Sequence, residues 1–205
     1  YSARFSTVAN QQYVIDTGSF SATLATSLTA TGASLRKSGT GSMTLNAANS
    51  LSGGITVQEG TLFVGNASAL GTGSLVVNTG GAIDLAGITI TSANPLTLRG
   101  TGTATSGALL NSSNSSASFN GPISLADHTT IGATMGGALS LTGNITALTG
   151  PGYDLTIKSS TGSSPTITLA GSLNTGSGRL IASGPGTLVP TGINNYTGGT
   201  TVSGG

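Results

Sequence analysis

Apolar and polar residues alternate in short stretches along the whole chain. Residues 43–45 (MTL), 55–57 (ITV) and 139–141 (LSL) are typical, and Gly, Asn, Ser or Pro separates such stretches. A period of two is typical of β-strands that bury one face. Because Gly or Pro interrupts nearly every window of a dozen residues, the pattern does not favour helices. We expect an all-β fold, which is a sandwich, a barrel or a solenoid.

An internal repeat distinguishes these three folds. Residues 38–60 and 183–205 match at nine of 23 positions when Ser38 is aligned with Ser183. Successive coils of a solenoid meet the same steric surroundings, whereas a sandwich or barrel has no reason to repeat a backbone course. The repeat therefore favours a solenoid. The shared turn positions are Gly39, Gly41, Asn49, Gly53, Gly54 and Gly60 in the first copy, and Gly184, Gly186, Asn194, Gly198 and Gly199 in the second.

The longer run from Lys37 to Leu85 carries a more specific pattern. It opens with Lys-x-Gly-x-Gly at residues 37–41, continues through Gly-Gly at 53–54 and Gly-Thr-Leu at 60–62, and closes with Gly-Gly-x-x-Asp-Leu at 80–85. This run resembles the passenger-associated transport repeat, also called the autotransporter-associated β-strand repeat. The second copy is similar to the same family but stops at Gly205, the position equivalent to Gly60.

Each copy departs from the family pattern at a few positions. In the first copy, Leu51 replaces the usual aromatic residue and Ile55 stands where Thr is usual. The second copy has the aromatic and the Thr, as Tyr196 and Thr200, but it carries Pro190 inside its first strand. These substitutions leave the fold expectation unchanged.

The resemblance implies a right-handed single-stranded parallel β-helix in the exported passenger of a Gram-negative surface protein. At roughly 20 residues per coil the chain would form roughly ten coils, about 50 Å in length. Residues 1–205 are expected to be one continuous solenoid segment of a longer chain, with repeat copies at 37–85 and 183–205, the second truncated. The expected location is extracellular or on the bacterial outer surface.

Composition agrees with stacked coils and excludes several partners. Charged residues make up only 5% of the chain, the formal net charge is +1, and there are 34 glycines and no cysteine. Like charges stacked in register would lie about 5 Å apart, so a solenoid favours Thr, Ser and Asn on its faces. A nearly neutral chain with scattered Lys and Arg has no field for gathering phosphate, so we expect no nucleic-acid partner. No apolar stretch is long enough for a membrane helix, and we expect no membrane insertion of this segment.

Residues that could carry chemistry are few and far apart. The carboxylates are Asp16, Glu59, Asp84, Asp127 and Asp154, any two of them separated by more than the expected length of one coil, and His128 is the one histidine. The chain has no Gly-x-Ser-x-Gly around a nucleophile, no third glycine of a dinucleotide fingerprint and no calcium-binding nonapeptide. We therefore expect no catalytic residue, no cofactor and no metal, with His128 in a solvated turn.

One polar segment interrupts the apolar pattern. Asn111 to Ser118 (NSSNSSAS) is predicted to be a loop that leaves the rod. Loops of this kind often carry binding in solenoids, and the alternative is an insertion without a role.

The sequence leaves three functions open. The first is a non-catalytic structural or adhesive module, a rigid stalk or fibre-forming unit that associates end to end and faces a host-cell, glycan or neighbouring-cell surface. The second is a solenoid that binds ice or another flat surface through outward threonines. The third is a β-helix enzyme acting on polysaccharides, because stacking could bring distant carboxylates together. The Thr-x-Thr pairs behind the second function are Thr89/Thr91, Thr101/Thr103, Thr103/Thr105 and Thr166/Thr168.

Overall fold

The computed structural model describes residues 5–103, 106–148, 150, 152–160 and 164–204, which form β-strands and no helix. Since this part of the chain has no helix, it also has none that could cross a membrane. In chain order the strands are β1 Gln12–Asp16, β2 Ser21–Leu24, β3 Ser34–Ser38, β4 Ser42–Leu45, β5 Gly54–Val57, β6 Gly60–Val64, β7 Leu75–Val77, β8 Gly81–Asp84, β9 Thr89–Ile90, β10 Leu96–Leu98, β11 Leu109–Asn111, β12 Ala117–Phe119, β13 Ile123–Leu125, β14 Thr129–Ala133, β15 Leu139–Leu141, β16 Ile145–Ala147, β17 Leu155–Ser159, β18 Thr166–Leu169, β19 Leu173–Gly176, β20 Leu180–Ser183, β21 Thr187–Pro190, β22 Asn194–Tyr196 and β23 Thr200–Ser203.

These strands form three parallel sheets that run along a common rod. The first sheet has the order β1-β3-β5-β7-β10-β13-β16-β19-β22, the second β2-β4-β6-β8-β11-β14-β17-β20-β23, and the third β21-β18-β15-β12-β9. Each strand of the first sheet is followed along the chain by one of the second, and the chain then returns to the first sheet beside its previous strand. The prediction of a parallel β-solenoid is confirmed, while its right-handed sense stays a prediction.

The solenoid has about eight turns, fewer than the ten predicted. Most paired residues in the first sheet lie 20 to 22 positions apart, as Ile55 and Leu75 do. Two coils are longer, because Leu96 pairs with Ile123 (27 positions) and Ile145 with Leu173 (28 positions). The nine strands of the first sheet therefore extend about 38 Å along the axis instead of about 50 Å.

Inward side chains form the apolar core. Successive residues in one column of the first sheet are nearly inaccessible to solvent, and the outward residues between them include Thr56, Thr97 and Thr146. Fully burying an aliphatic side chain of this size contributes about 1.5–3 kcal/mol, so such columns supply much of the driving force for stacking. The column consists of Leu35, Ile55, Leu75, Leu96, Ile123, Ile145 and Leu173.

The third face differs between the two halves of the rod. Its sheet begins only at β9, and irregular segments that bury Leu28, Leu51 and Leu70 close this face in the earlier coils. Asn49 joins these segments, since its Oδ1 accepts a hydrogen bond from the Leu28 amide at 2.8 Å and its Nδ2 donates to the Ala69 carbonyl at 2.7 Å. The side-chain amide thus adds to the backbone hydrogen bonds between these three coils, which include one from the Ser50 amide to the Leu28 carbonyl at 2.8 Å.

The polar segment from Asn111 to Ser118 does not leave the rod as a whole, which corrects the prediction. Asn111 is the last residue of β11 and is fully buried, and Ala117 already belongs to β12. The Asn111 Nδ2 lies within hydrogen-bonding distance of the carbonyls of Ser115 (2.9 Å) and Ala138 (3.1 Å). Because these contacts fix both ends of the turn, only residues 114–116 are exposed.

Candidate functional site: the charged corner and its buried lysine

Charged side chains gather along one corner of the rod. We call this the charged corner: the turns that join each first-sheet strand to the following second-sheet strand, together with the last two residues of the first-sheet strand. The sequence analysis missed this grouping because the members lie on different coils. A usable signal was their spacing, since Asp16, Lys37 and Glu59 follow one another at intervals of one coil. Members in the described chain are Asp16, Lys37, Glu59, Arg99, Asp127, His128, Asp154 and Arg179.

Lys37 is the member that points inward. Its side chain lies in an otherwise apolar column between Ile15 and Val57 and is 0% exposed. Burial lowers the pKa of the ammonium group, and the nearby carboxylates of Asp16 and Glu59 oppose that shift. A buried amine is tolerated only when its donors find acceptors.

Backbone oxygens supply those acceptors. Nζ of Lys37 lies 2.6 Å from the Gly39 carbonyl oxygen, 2.7 Å from that of Gly41 and 2.9 Å from that of Glu59. The Thr17 hydroxyl at 3.0 Å and the Ser38 carbonyl at 3.3 Å complete the shell. We call these five oxygens the lysine cage. The ammonium joins three successive coils, which gives a physical role to the Lys-x-Gly-x-Gly spacing.

Glycine is required around this cage for steric reasons. Gly39 has φ +79°, a conformation that residues with a Cβ rarely adopt. A Cβ on Gly41 would lie 1.9 Å from the Phe20 carbonyl oxygen, and one on Gly60 would lie 2.6 Å from Nζ of Lys37. The backbone at these three glycines can therefore lie this close to the neighbouring coil and to the ammonium only because the residues have no side chain.

The predicted turn glycines fall into two groups. One group has positive φ, and the other has ordinary φ but faces a carbonyl oxygen of the preceding coil, where a Cβ would come within 2.6 Å or less. The asparagines differ, since Asn49 bridges coils whereas Asn194 begins β22 and is exposed. The positive-φ group is Gly39, Gly54, Gly60, Gly184 and Gly199, and the close-approach group is Gly41, Gly53, Gly186 and Gly198.

The two repeat copies lie on different faces of the rod. In the first copy β3 and β5 belong to the first sheet, but their equivalents in the second copy, β20 and β23, belong to the second sheet. Leu173 lies six turns after Leu35 in the same column, whereas Leu180, the equivalent of Leu35, lies on the next sheet. The second copy is therefore rotated by one face relative to the first.

A second polar cluster joins three coils farther along the charged corner. The backbone amide and the guanidinium NH2 of Arg179 each donate to the Asp154 carboxylate at 2.8 Å. These hydrogen bonds hold the pKa of Asp154 below its ordinary value. His128 is exposed in a turn, as predicted, and its Nδ1 accepts a hydrogen bond from the Asp154 amide at 3.0 Å. The histidine thus acts as a hydrogen-bond acceptor between coils.

The carboxylates show no metal site in the part of the chain that the structure describes, where no three His, Asp or Glu side chains come together. Asp84 is buried at the end of β8, and its Oδ1 accepts hydrogen bonds from the amides of Ala86 (2.9 Å) and Ser112 (3.1 Å). Asp154 is engaged by Arg179. Both carboxylates therefore serve to hold successive coils together.

Comparison with known families tests the resemblance directly. A model of the passenger-associated-transport-repeat matches residues 35–64 and 180–205, which contain β3 to β6 and β20 to β23. The chain contains two passenger-associated transport repeats. This result confirms the resemblance and supports a module of the autotransporter passenger type, a class whose members are secreted or lie on the outer surface. No curated protein and no solved structure matches the chain.

Proposed function

We propose that this segment is a non-catalytic, rigid stalk in an autotransporter-type passenger on the bacterial outer surface. The observation that carries the proposal is the continuous parallel stack of the first sheet from β1 to β22. Hydrogen bonds between coils run along the rod axis, so bending the rod would strain many of them at once. Such a rod holds other regions of the passenger at a fixed distance from the cell.

Side-chain contacts between coils support this rigidity. Lys37 joins three coils through its cage, and Asn49 joins three coils on the irregular face. Near the other end, the Asp154–Arg179 pair joins two coils at the charged corner. Lys37 and the Asp154–Arg179 pair lie on the charged corner, whereas Asn49 lies on the irregular face, so these contacts resist bending in more than one direction.

The stalk role is tested in a passenger that carries this segment on living cells. Residues 12–203 are replaced by a flexible Gly/Ser linker, and the distance from the outer membrane to a distal epitope is measured by immunogold electron microscopy. We expect a more widely distributed distance while secretion continues, because the end-to-end distance of a flexible chain varies from molecule to molecule. An unchanged, narrow distribution would contradict the stalk.

A column of outward hydroxyl groups is the observation that favours the second candidate function, binding to ice or another flat surface. Thr89, Ser118, Ser140 and Thr168 stack in register on the third sheet, although Ser rather than Thr occupies its centre. Thr105, one of the predicted threonines, lies outside the described residues. Thermal hysteresis of the purified segment tests ice binding. We expect none, because Ser118 and Ser140 interrupt the column, which therefore does not present a continuous row of threonines. A measurable hysteresis gap would favour ice binding over the stalk.

A further inference from the structure

An open groove crosses the early coils on the outer side of the charged corner. It has a volume of about 570 Å³, and every residue that lines it has a polar side chain except Gly39. Part of the lining is an outward column with one residue per coil, in which the backbone amides of Gln58, Asn78 and Arg99 each donate to the previous coil at 2.9 Å. The groove therefore follows the rod axis. The column consists of Asp16, Ser38, Gln58, Asn78 and Arg99.

Four charged side chains line this groove, although charged residues make up only 5% of the chain. The carboxylates of Asp16 and Glu59 have a role within the fold, because they oppose the effect of burial on the pKa of Lys37. The guanidinium groups of Arg36 and Arg99 have no such role. Both arginines are exposed, and neither side chain makes a salt bridge or a hydrogen bond to the residues that the structure describes. They are therefore available to bind an anion.

The middle of the groove contains amide groups with free hydrogen-bonding capacity. Nδ2 of Asn78 donates to Oε1 of Gln58 at 2.7 Å. Within the described chain, this contact leaves the Gln58 NH2 group and the Asn78 Oδ1 without a partner. A hydroxyl group can both donate and accept a hydrogen bond, so it can satisfy either atom. The groove thus has sites for hydroxyl groups between two cations.

The spacing of the two arginines indicates an extended ligand. Arg36 and Arg99 are three coils apart, which corresponds to roughly 14 Å along the axis. A single small anion cannot contact both. An acidic peptide would find no open strand edge here, since β3, β5 and β7 are each paired on both sides, and no apolar pocket for its side chains. A chain of sugars presents hydroxyl groups on every unit and needs neither feature.

We propose that this groove binds an acidic oligosaccharide. Carboxylates on the sugar chain would bind Arg36 and Arg99, because a guanidinium group can donate two parallel hydrogen bonds to a carboxylate. Hydroxyl groups of the sugars between them would bind the free amide groups of Gln58 and Asn78. A stalk needs no ligand on its side, so this binding is additional to the proposed stalk role and does not depend on it.

Binding is tested on the intact chain with hyaluronan hexasaccharide, by calorimetry and NMR titration. We expect the sugar to shift the side-chain amide signals of Gln58 and Asn78. Its carboxyl methyl ester keeps the hydroxyl groups but lacks the charge, and hexaglutamate keeps the charge but lacks the hydroxyl groups. Each control should bind at least fivefold more weakly. The proposal is wrong if the hexasaccharide does not bind, or if either control binds as tightly.

Two variants with the same change in net charge test whether binding occurs in the groove. Arg99→Gln removes one of the two cations and should weaken hexasaccharide binding at least fivefold. Arg179→Gln is the matched control, because Arg179 lies outside the groove beside Asp154, and its affinity should stay within twofold. Equal weakening would indicate unspecific attraction and overturn the proposal. Arg36→Gln, at another exposed position, provides the same comparison if Arg99→Gln fails to fold.

Discussion

At the scale of single residues, the corner depends on one cation and on the absence of side chains around it. Lys37 occupies an inward position that other coils fill with Ile15, Val57 or Val77. The ammonium is stabilised there by backbone oxygens rather than by a carboxylate. Glycines at 39, 41 and 60 bring those oxygens within reach.

Replacing Lys37 should therefore be costly. Lys37→Met keeps the length and apolar stem but leaves the cage oxygens without their donor, and we expect a loss of roughly 3 kcal/mol in the free energy of unfolding. Arg36→Met is the matched control, because Arg36 is exposed on the neighbouring outward position and should change stability by about 0.5 kcal/mol or less. Urea denaturation measures both, and equal losses would contradict the cage.

Alanine substitutions at two glycines distinguish the cost of backbone strain from the cost of a steric clash. Gly54 and Gly80 have φ of +91° and +85°, but a Cβ on Gly54 would lie 2.4 Å from the Ser74 carbonyl oxygen, whereas a Cβ on Gly80 would contact nothing within 4 Å. Gly80→Ala should cost about 1 kcal/mol from strain alone. Gly54→Ala should cost roughly 3 kcal/mol because strain and clash add. Thermal unfolding that ranks the two variants equally would contradict the close approach of these coils.

The pairing of Asp154 with Arg179 predicts that the stability of the folded chain depends on pH. Hydrogen bonds from Arg179 hold the pKa of Asp154 below its ordinary value of 3.8, so the unfolded chain binds the proton more readily. The charged carboxylate then contributes stability above that ordinary value and loses it as the pH falls through the folded pKa. Compared with Asp154→Asn, the wild type should be more stable by about 0.5 kcal/mol at neutral pH, a small value because solvent screens the pair. The difference should vanish in strong acid, and a constant difference would contradict the ion pair.

At the scale of strands and coils, the alternation at residues 43–45, 55–57 and 139–141 is sufficient to predict strands, because a period of two buries one face. The repeat was sufficient to predict stacking. Neither could predict the face on which a strand lies, since the face depends on the summed length of all preceding coils. The long coils after Leu96 and Ile145 therefore place the second repeat one face away from the first.

The cage could not be predicted from the sequence for a related reason. Its Thr17 and Glu59 oxygens come from coils before and after Lys37. The family motif includes the lysine and its glycines, but only the register shows which carbonyls converge. The turn at Asn111 was mispredicted because polar composition was taken as exposure, whereas its side chain is buried and hydrogen-bonded.

Replacing Asn111 tests how much one side chain stabilises the corner between the second and third sheets. Asn111→Ala removes contacts to the amides of Gly87 and Ser113 and to the carbonyl of Ser115, and it should cost roughly 3 kcal/mol. Asn114→Ala is the control, because Asn114 is exposed and makes one contact at 3.3 Å to the Gly136 amide. Urea unfolding should show a loss of at most about 1 kcal/mol there. Similar losses would indicate that the buried network does not stabilise the corner.

At the scale of the whole molecule, the account depends on coils stacked at a constant spacing along one axis. The sequence separation between neighbours in the outward column of the first sheet varies, because some coils are longer than others, but the rise is the same for every coil. In such a rod, the distance between two residues of this column depends on the number of coils between them and not on their sequence separation. This column passes from Arg36 through Thr56, Val76 and Thr97 to Ser124, Thr146 and Asn174, one residue per coil.

Electron paramagnetic resonance distances between pairs of nitroxide labels test this claim most directly. The chain has no cysteine, so labels can be placed on an introduced cysteine at Arg36 paired with one at Ser124, Thr146 or Asn174. These pairs are four, five and six coils apart, and we expect backbone separations of about 19, about 24 and about 29 Å, with label distances that rise in the same equal steps. Distances that fail to increase in this order, or that increase in unequal steps, would contradict the stacked solenoid.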